Sequence, residues 1–344
     1  MKKKVFFIMS TDDYSGAEAV NFSIIDGLKD KFDFYWVSKS GNINNYLVEK
    51  NIKWIEIKKL SVSEIKRIVR EKHPDILHAT DFKASVICAL ANTKVPLIEH
   101  LHNNAPWIKK INIKSLMFLY SGLKANKILT VSDSIKQEYI FSNLINKKVE
   151  CISNPVSRKK IISLLKKDDY KKEYDICCVA RITEAKNPLL FINIVAEIKK
   201  QSPNIRVVWV GDGELRNECE ALSKKLKVNH NIEFVGHQKN PYSYMAKSKI
   251  FMLTSKWEGY GLVAFEALTL GLPCVVSDVG GLPEIVDDTC GKLCYDSKDY
   301  KVILDILNNQ KLYDKLSINA IKKSKKIENY SEYIVQLEKI YNQC

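Results

Sequence analysis

Short apolar runs alternating with helical stretches limit what this chain can fold into more than any other feature. Val5-Phe6-Phe7-Ile8-Met9 is a continuous apolar run, too short for a stable helix and without a strand's usual alternation. That is the pattern of a parallel strand buried on both faces. A polar stretch follows, then Gly16 and a helical pattern through Ala17, Val20, Phe22, Ile24, Ile25 and Leu28. The rhythm repeats at Phe34–Val37, Asp75–His78, Leu97–His100 and Lys127–Val131. It restarts at Ile176–Val179 and continues through Val207–Val210, Ile232–Val235, Ile250–Leu253 and Cys274–Ser277. Strands separated by helices predict a parallel, doubly wound sheet, and two such series predict two Rossmann-like domains.

A chain of 344 residues suits two domains. The charge-rich stretch "SRKKIISLLKKDDYKKEY" after Asn154-Pro155 marks a linker over 157–173. The expected organisation is an N-terminal Rossmann-like domain over 1–156 and a C-terminal Rossmann-like domain over 174–325. A final helix over 326–344 is expected to pack back on the N-terminal domain. Tandem open α/β sheets bind ligands beyond the carboxyl ends of their strands, so a shared cleft is expected.

The formal charge of +14 is uneven: residues 1–172 hold 31 Lys/Arg against 18 Asp/Glu, leaving the rest nearly neutral. A basic half suits an anionic partner, although biased base composition gives the same excess of lysine. No zinc-finger, RRM or similar pattern accompanies the charge, which counts against nucleic acid. Nine scattered cysteines without C-x-x-C pairing read as reduced thiols rather than a disulfide or zinc framework. The basic N-terminus opens a strand rather than a signal peptide, and no window reaches the length of a spanning helix. A cytoplasmic protein with at most peripheral membrane contact is the expectation.

The densest chemistry lies in "WEGYGLVAFEA", Trp257–Ala267. A strand ends at Leu253, a loop carries Glu258, Gly259 and Gly261, and a helix is expected from about Leu262. Free N–H groups at that helix start, together with its dipole, form an anion site suited to phosphate. Glu258 just before the helix and Glu266 one turn inside it cannot attract an anion. As carboxylates they are suited to accept hydrogen bonds from sugar hydroxyls.

Glu258 and Glu266 in E-x7-E spacing, the Gly-Tyr-Gly-Leu-Val between them and the trailing "GLPCVVSDVGGLPEIV" resemble the donor site of the family-4 retaining glycosyltransferases of GT-B architecture. The likeness covers nearly the whole chain. "SGAE" at Ser15–Glu18 is similar to the family's first glycine loop, usually Gly-Gly. "VARITEAKNP" at Val179–Pro188 matches its Arg…Lys element, "VGDGELR" at Val210–Arg216 its Gly-Asp-Gly turn, and "FVGHQ" at Phe234–Gln238 its base-side loop.

The resemblance implies Glu266 on the ribose, Glu258 on the transferred sugar, and the backbone of Gly259, Tyr260, Gly261, Leu262 and Val263 on the phosphates. It places Gly236 and His237 near the base and Gly16 at the donor, with Arg181 and Lys186 on the leaving diphosphate. Cations there stabilise charge that grows as the glycosidic bond breaks. In "IEHLHNN", His100 and His102 share a face by period two. His102, followed by Asn103, matches the family's histidine near the reacting sugar, while His78 is a weaker candidate. The catalytic set is therefore Glu258, His102, Arg181 and Lys186.

The chain has no Asp-x-Asp motif, so no metal is expected; the resemblance implies a nucleotide-sugar co-substrate, UDP preferred and GDP close behind, with no other cofactor. Retention follows from the family. The segment Pro106–Lys127 mixes Trp107, Ile108, Ile111, Leu116, Met117, Phe118 and Leu119 with Lys109, Lys110, Lys114, Lys124 and Lys127. It reads as a segment lying on an anionic membrane surface or as a core helix with a solvated basic face. Three functions remain open. One is transfer to a lipid-linked saccharide for surface polysaccharide, at the inner face of the cell membrane. Another is the same chemistry on a soluble acceptor; the third is a non-catalytic sugar-nucleotide-binding subunit. A dehydrogenase is disfavoured because neither first strand is followed by a complete G-x-G-x-x-G.

Overall fold

A computed structural model describes residues 2–102, 105–165, 170–294 and 296–344. The chain divides into two compact units, Met1–Pro155 with Asn329–Cys344, and Val156–Glu328.

Among the described residues the first unit holds a seven-stranded sheet. In chain order its strands are β1 (Lys4–Ile8), β2 (Asp33–Ser38), β3 (Lys53–Glu56), β4 (Ile76–Ala79), β5 (Leu97–Leu101), β6 (Lys127–Thr130) and β7 (Val149–Cys151). The spatial order is β3-β2-β1-β4-β5-β6-β7, with every pair parallel. The second unit holds β8 (Tyr174–Val179), β9 (Val207–Val210), β10 (Ile232–Gly236), β11 (Ser248–Leu253), β12 (Cys274–Ser277) and β13 (Gly291–Cys294). They order as β10-β9-β8-β11-β12-β13, also parallel. Helices cover the strands on both faces, which is why Val5–Ile8 and Ile250–Leu253 are fully buried.

Each sheet reverses its strand order once, between β1 and β4 in the first unit and between β8 and β11 in the second. Such switch points open a crevice at the strand carboxyl ends. The β8–β11 crevice is where the loop carrying Lys186 meets the loop carrying Glu258.

The strands absent from the sequence reading are β3, β7 and β13, all sheet edges. Edge strands are wetted on one side, so none of the three carries a continuous apolar run. The interval expected as a linker over 157–173 holds a helix, Arg158–Ser163, capped by Ser157, whose Ile161 is buried. It packs on the helix Leu262–Thr269, so it belongs to the second unit, and the boundary falls after Pro155. The interval's central residues 166–169 lie outside the described residues. At the other end, the helix Gln310–Ile327 also packs on Leu262–Thr269, which keeps residues 326–328 with the second unit. The last helix, Tyr330–Gln343, belongs to the first: Tyr330 Oη donates to Ser23 O (3.1 Å), and Lys31 pairs with Glu338 (2.6 Å).

Candidate active site

In the second unit the site is built from the loops that leave β8 and β11. β8 leads through Arg181 into a short 3-10 turn, Glu184–Lys186, and then into the helix Pro188–Gln201, with Asn187 as the left-handed hinge (φ +47°). β11 leads through Thr254–Gly261 into the helix Leu262–Thr269. Three bonds staple these loops together. Thr254 Oγ1 donates to the carbonyls of Lys186 (3.2 Å) and Asn187 (3.1 Å), and Lys256 N donates to Ala185 O (2.8 Å).

The staple brings Lys186 Nζ into direct contact with Glu258 Oε2, both side chains mostly buried. Ser255 Oγ also donates to Glu258 Oε2 (3.3 Å). A mostly buried charge pair needs such extra partners, because desolvation offsets much of its attraction. Arg181 is exposed and makes no ion pair among the described residues. Its guanidinium stands on the same loop, available to an anion.

Gly261 precedes the helix at φ +93°, a left-handed conformation natural to glycine, and releases the N–H groups of the following residues. Gly280, at φ +58°, lies so close beneath the loop that a Cβ there would sit 2.0 Å from Glu258 O. The bond Gly281 N to Gly259 O (2.7 Å) completes this floor. The sequence reading quoted the "VGG" stretch without assigning it this support. The close approach is visible only in three dimensions.

Glu266 sits on the first turns of Leu262–Thr269 and is half-buried. Burial raises its carboxyl to about 7, opposed by a hydrogen bond from Tyr242 Oη (3.1 Å) and by the charge of Lys160. Tyr242 and Lys160 were not among the sequence candidates. They come from two helices far apart in the chain, Tyr242–Ala246 and Arg158–Ser163. Their roles give a pH prediction. Removing the tyrosine hydroxyl moves the Glu266 carboxyl further up, so more of it is protonated at neutral pH. If Glu266 accepts the ribose hydroxyls, as the resemblance implies, nucleotide affinity of Tyr242→Phe should fall roughly tenfold at pH 7 and recover towards wild type at pH 9, measured by calorimetric titration with a nucleoside diphosphate. A loss equal at both pH values would show that the hydroxyl does not act through the carboxylate.

Gly236 ends β10 at φ +71°, and His237 after it is exposed. The neighbouring Gly211-Asp212-Gly213 turn is tied to it by Gly211 N to Gly236 O (2.8 Å). Arg216 fixes the same corner, donating to Phe234 O (3.0 Å) and pairing with Glu220 (2.9 Å) and Asp212 (3.5 Å).

In the first unit Gly16 opens the helix Gly16–Leu28, whose capping box has Glu18 accepting from Ser15 N (2.9 Å) and Ser15 Oγ (2.5 Å). Glu18 is buried and also accepts from Thr11 (2.9 Å), so its carboxylate shapes the β1 loop. At the end of β5 the rings of His100 and His102 lie 4.1 Å apart, sharing one face as the alternation predicts. His100 Nδ1 meets His78 Nε2 (3.1 Å), and His78 Nδ1 meets Tyr341 Oη (2.7 Å) from the C-terminal helix. Burial lowers His78 to about 3, with His102 adding to the shift. Burial likewise lowers His102 to about 3, opposed by Asn154. At neutral pH these rings are uncharged. Asn103 lies outside the described residues.

Two α/β units of parallel strands and crossover helices are the architecture of the GT-B fold. The chain belongs to the family-4 glycosyltransferases: the model described as Glycosyltransferase Family 4 matches residues 44–160, and that described as Glycosyl transferases group 1 matches 161–323. It is 24% identical over 327 residues to the O-antigen biosynthesis glycosyltransferase WclY of Escherichia coli, covering 90% of this chain and 89% of that one. It is 27% identical over 300 residues to a Campylobacter jejuni enzyme named N-acetylgalactosamine-N,N'-diacetylbacillosaminyl-diphospho-undecaprenol 4-alpha-N-acetylgalactosaminyltransferase, covering 81% of each. Among solved structures, Anabaena Alr3699/HepE in complex with UDP and glucose matches with a TM-score of 0.86 at 17% identity, over 99% of this chain and 100% of that one.

Proposed function

We propose that this protein is a retaining, metal-independent glycosyltransferase. It would move a sugar from a nucleotide sugar, with UDP preferred, to a lipid-linked saccharide during surface polysaccharide synthesis at the inner membrane face. The observation that carries the reading is the Lys186–Glu258 contact, set between the β8 loop and the N-terminus of Leu262–Thr269. The lipid-linked acceptor is supported by the printed names of the relatives, including the diphospho-undecaprenol enzyme.

In this reading the free N–H groups at Leu262 and Val263 receive the diphosphate, and Glu266 accepts the two ribose hydroxyls. Lys186 lies between phosphate and Glu258, while Arg181 adds a second cation. As the glycosidic bond lengthens, negative charge collects on the β-phosphate, and these groups stabilise it without reorganising. Fixed cations and a helix N-terminus supply the role that a divalent ion has in other nucleotide-sugar sites. Glu258 orients the sugar hydroxyls, and neutral His102 is a hydrogen-bond partner for the sugar, not a proton donor at neutral pH. The acceptor attacks from the face the phosphate leaves, and its proton passes to the departing phosphate oxygen, which retains configuration.

Donor turnover without acceptor tests the proposal. Water in the acceptor's place should release UDP and a free sugar that first appears with the donor's anomeric configuration.

A further inference from the structure

The helix Ile113–Lys124 is turned inside out by the standards of a water-facing helix. Its buried face is made by Ser115, Phe118, Ser121 and Gly122, small or polar except for the phenylalanine. The opposite face carries Ile113, Leu116, Met117, Tyr120 and Leu123, at spacings of three, one, three and three, and all are exposed, Ile113 by 76%. A helix whose only task is to cover the sheet would put those side chains inward. Of the fourteen exposed large apolar side chains among the described residues, eight lie between Ile111 and Leu144, so they form a concentration rather than ordinary scatter.

The patch does not end with that helix. The short helix Ser142–Ile145 packs beside it, burying Ile145 against Gly122 and leaving Leu144 exposed, with exposed Ile140 just before it. The surrounding charge is of one sign: residues 106–148 hold eight lysines against two acids. Lys110, Lys114 and Lys124 flank the apolar face and make no ion pair among the described residues.

We propose that this face of the first unit docks on an anionic lipid bilayer, with the apolar side chains entering the headgroup boundary and the lysines meeting acidic headgroups. The charge selects the occupant. A second copy of the chain would oppose the same lysine excess to itself, whereas acidic lipids complement it. The inference is compatible with the lipid-linked acceptor proposed above and deepens that reading, but it rests on the surface alone. No helix among the described residues is long and apolar enough to cross a membrane, so the contact is interfacial.

The test is co-sedimentation of the full chain with vesicles of phosphatidylcholine alone and of phosphatidylcholine with 30–40% phosphatidylglycerol, roughly the charge density at which polybasic surfaces bind. Binding to the anionic vesicles is expected, and it should weaken about a hundredfold in Lys110→Gln/Lys114→Gln/Lys124→Gln, at roughly 1 kcal/mol per lysine. It should be lost in Leu116→Glu/Met117→Glu. Both variants alter exposed side chains, so their UDP affinity and unfolding midpoint should match wild type. Wild type failing to bind anionic vesicles would overturn the proposal. So would unchanged binding in both variants, or a wild-type dimer that Leu116→Glu/Met117→Glu converts to monomer. Vesicle binding that persists while no sugar donor is turned over would instead sink the proposed activity and leave the docking face standing.

Discussion

Lys186→Ala should lower the rate of sugar release from the donor by roughly two to three orders of magnitude, the usual loss when one fixed donor to a developing negative charge is removed. The argument rests on position. Lys186 is held by its carbonyl's bond from Thr254 and by its own contact with Glu258, so its ammonium is in place before substrate arrives. Charge on the leaving phosphate is greatest in the transition state, so kcat should fall far more than KM rises. The variant also leaves Glu258 mostly buried without its cation, which is destabilising in its own right. Lys186→Ala/Glu258→Gln separates the two effects. It should restore much of the unfolding midpoint lost in the single variant and recover none of the rate. A single variant that keeps more than a third of wild-type kcat would remove Lys186 from the chemistry.

Gly280→Ala should damage the site through its backbone, without removing any side chain proposed to meet substrate. The new Cβ would fall 2.0 Å from Glu258 O and 2.7 Å from its carbonyl carbon, both backbone atoms with no flexible end to swing away. The left-handed φ of +58° adds strain of its own. Together these should cost about 2–5 kcal/mol of stability, the sum of an overpacking and a conformational penalty. Because the displaced backbone is the loop that aims Glu258 and opens the helix at Leu262, UDP affinity should fall with it. Denaturant unfolding and UDP titration on the same preparation check both. A stable variant with wild-type affinity would mean that the loop is not held by this floor.

How much of this was legible in the sequence depends on where each interaction lies along the chain. The central strands could be read because both their faces are buried, which leaves an unbroken apolar run such as Val5–Met9. The edge strands β3, β7 and β13 could not, because a wetted edge needs no such run. The placement of Glu258, Gly261 and Glu266 around one loop–helix junction was legible because that junction sets their spacing. Tyr242, Lys160 and Gly280 act on that junction from other elements, and no local spacing records such contacts. The Arg158–Ser163 helix was hidden by its own lysines: only Ile161 reports its buried side. On Ile113–Lys124 the composition left core and membrane readings equal, because counting apolar residues does not say which face is covered.

The central claim, that the β8 and β11 loops with the Leu262 helix form a nucleotide-sugar site working with retention, is tested most directly by proton NMR of the acceptor-free reaction. UDP-sugars with an α-linked donor are incubated with the full chain in the presence of a chelator, and the anomeric signals are followed from the first turnovers. The account predicts UDP release with the α-anomer of the free sugar appearing first and equilibrating later, and neither signal with Lys186→Ala on the same timescale. Appearance of the β-anomer first would contradict retention, and release that proceeds equally well without Lys186 would contradict the site.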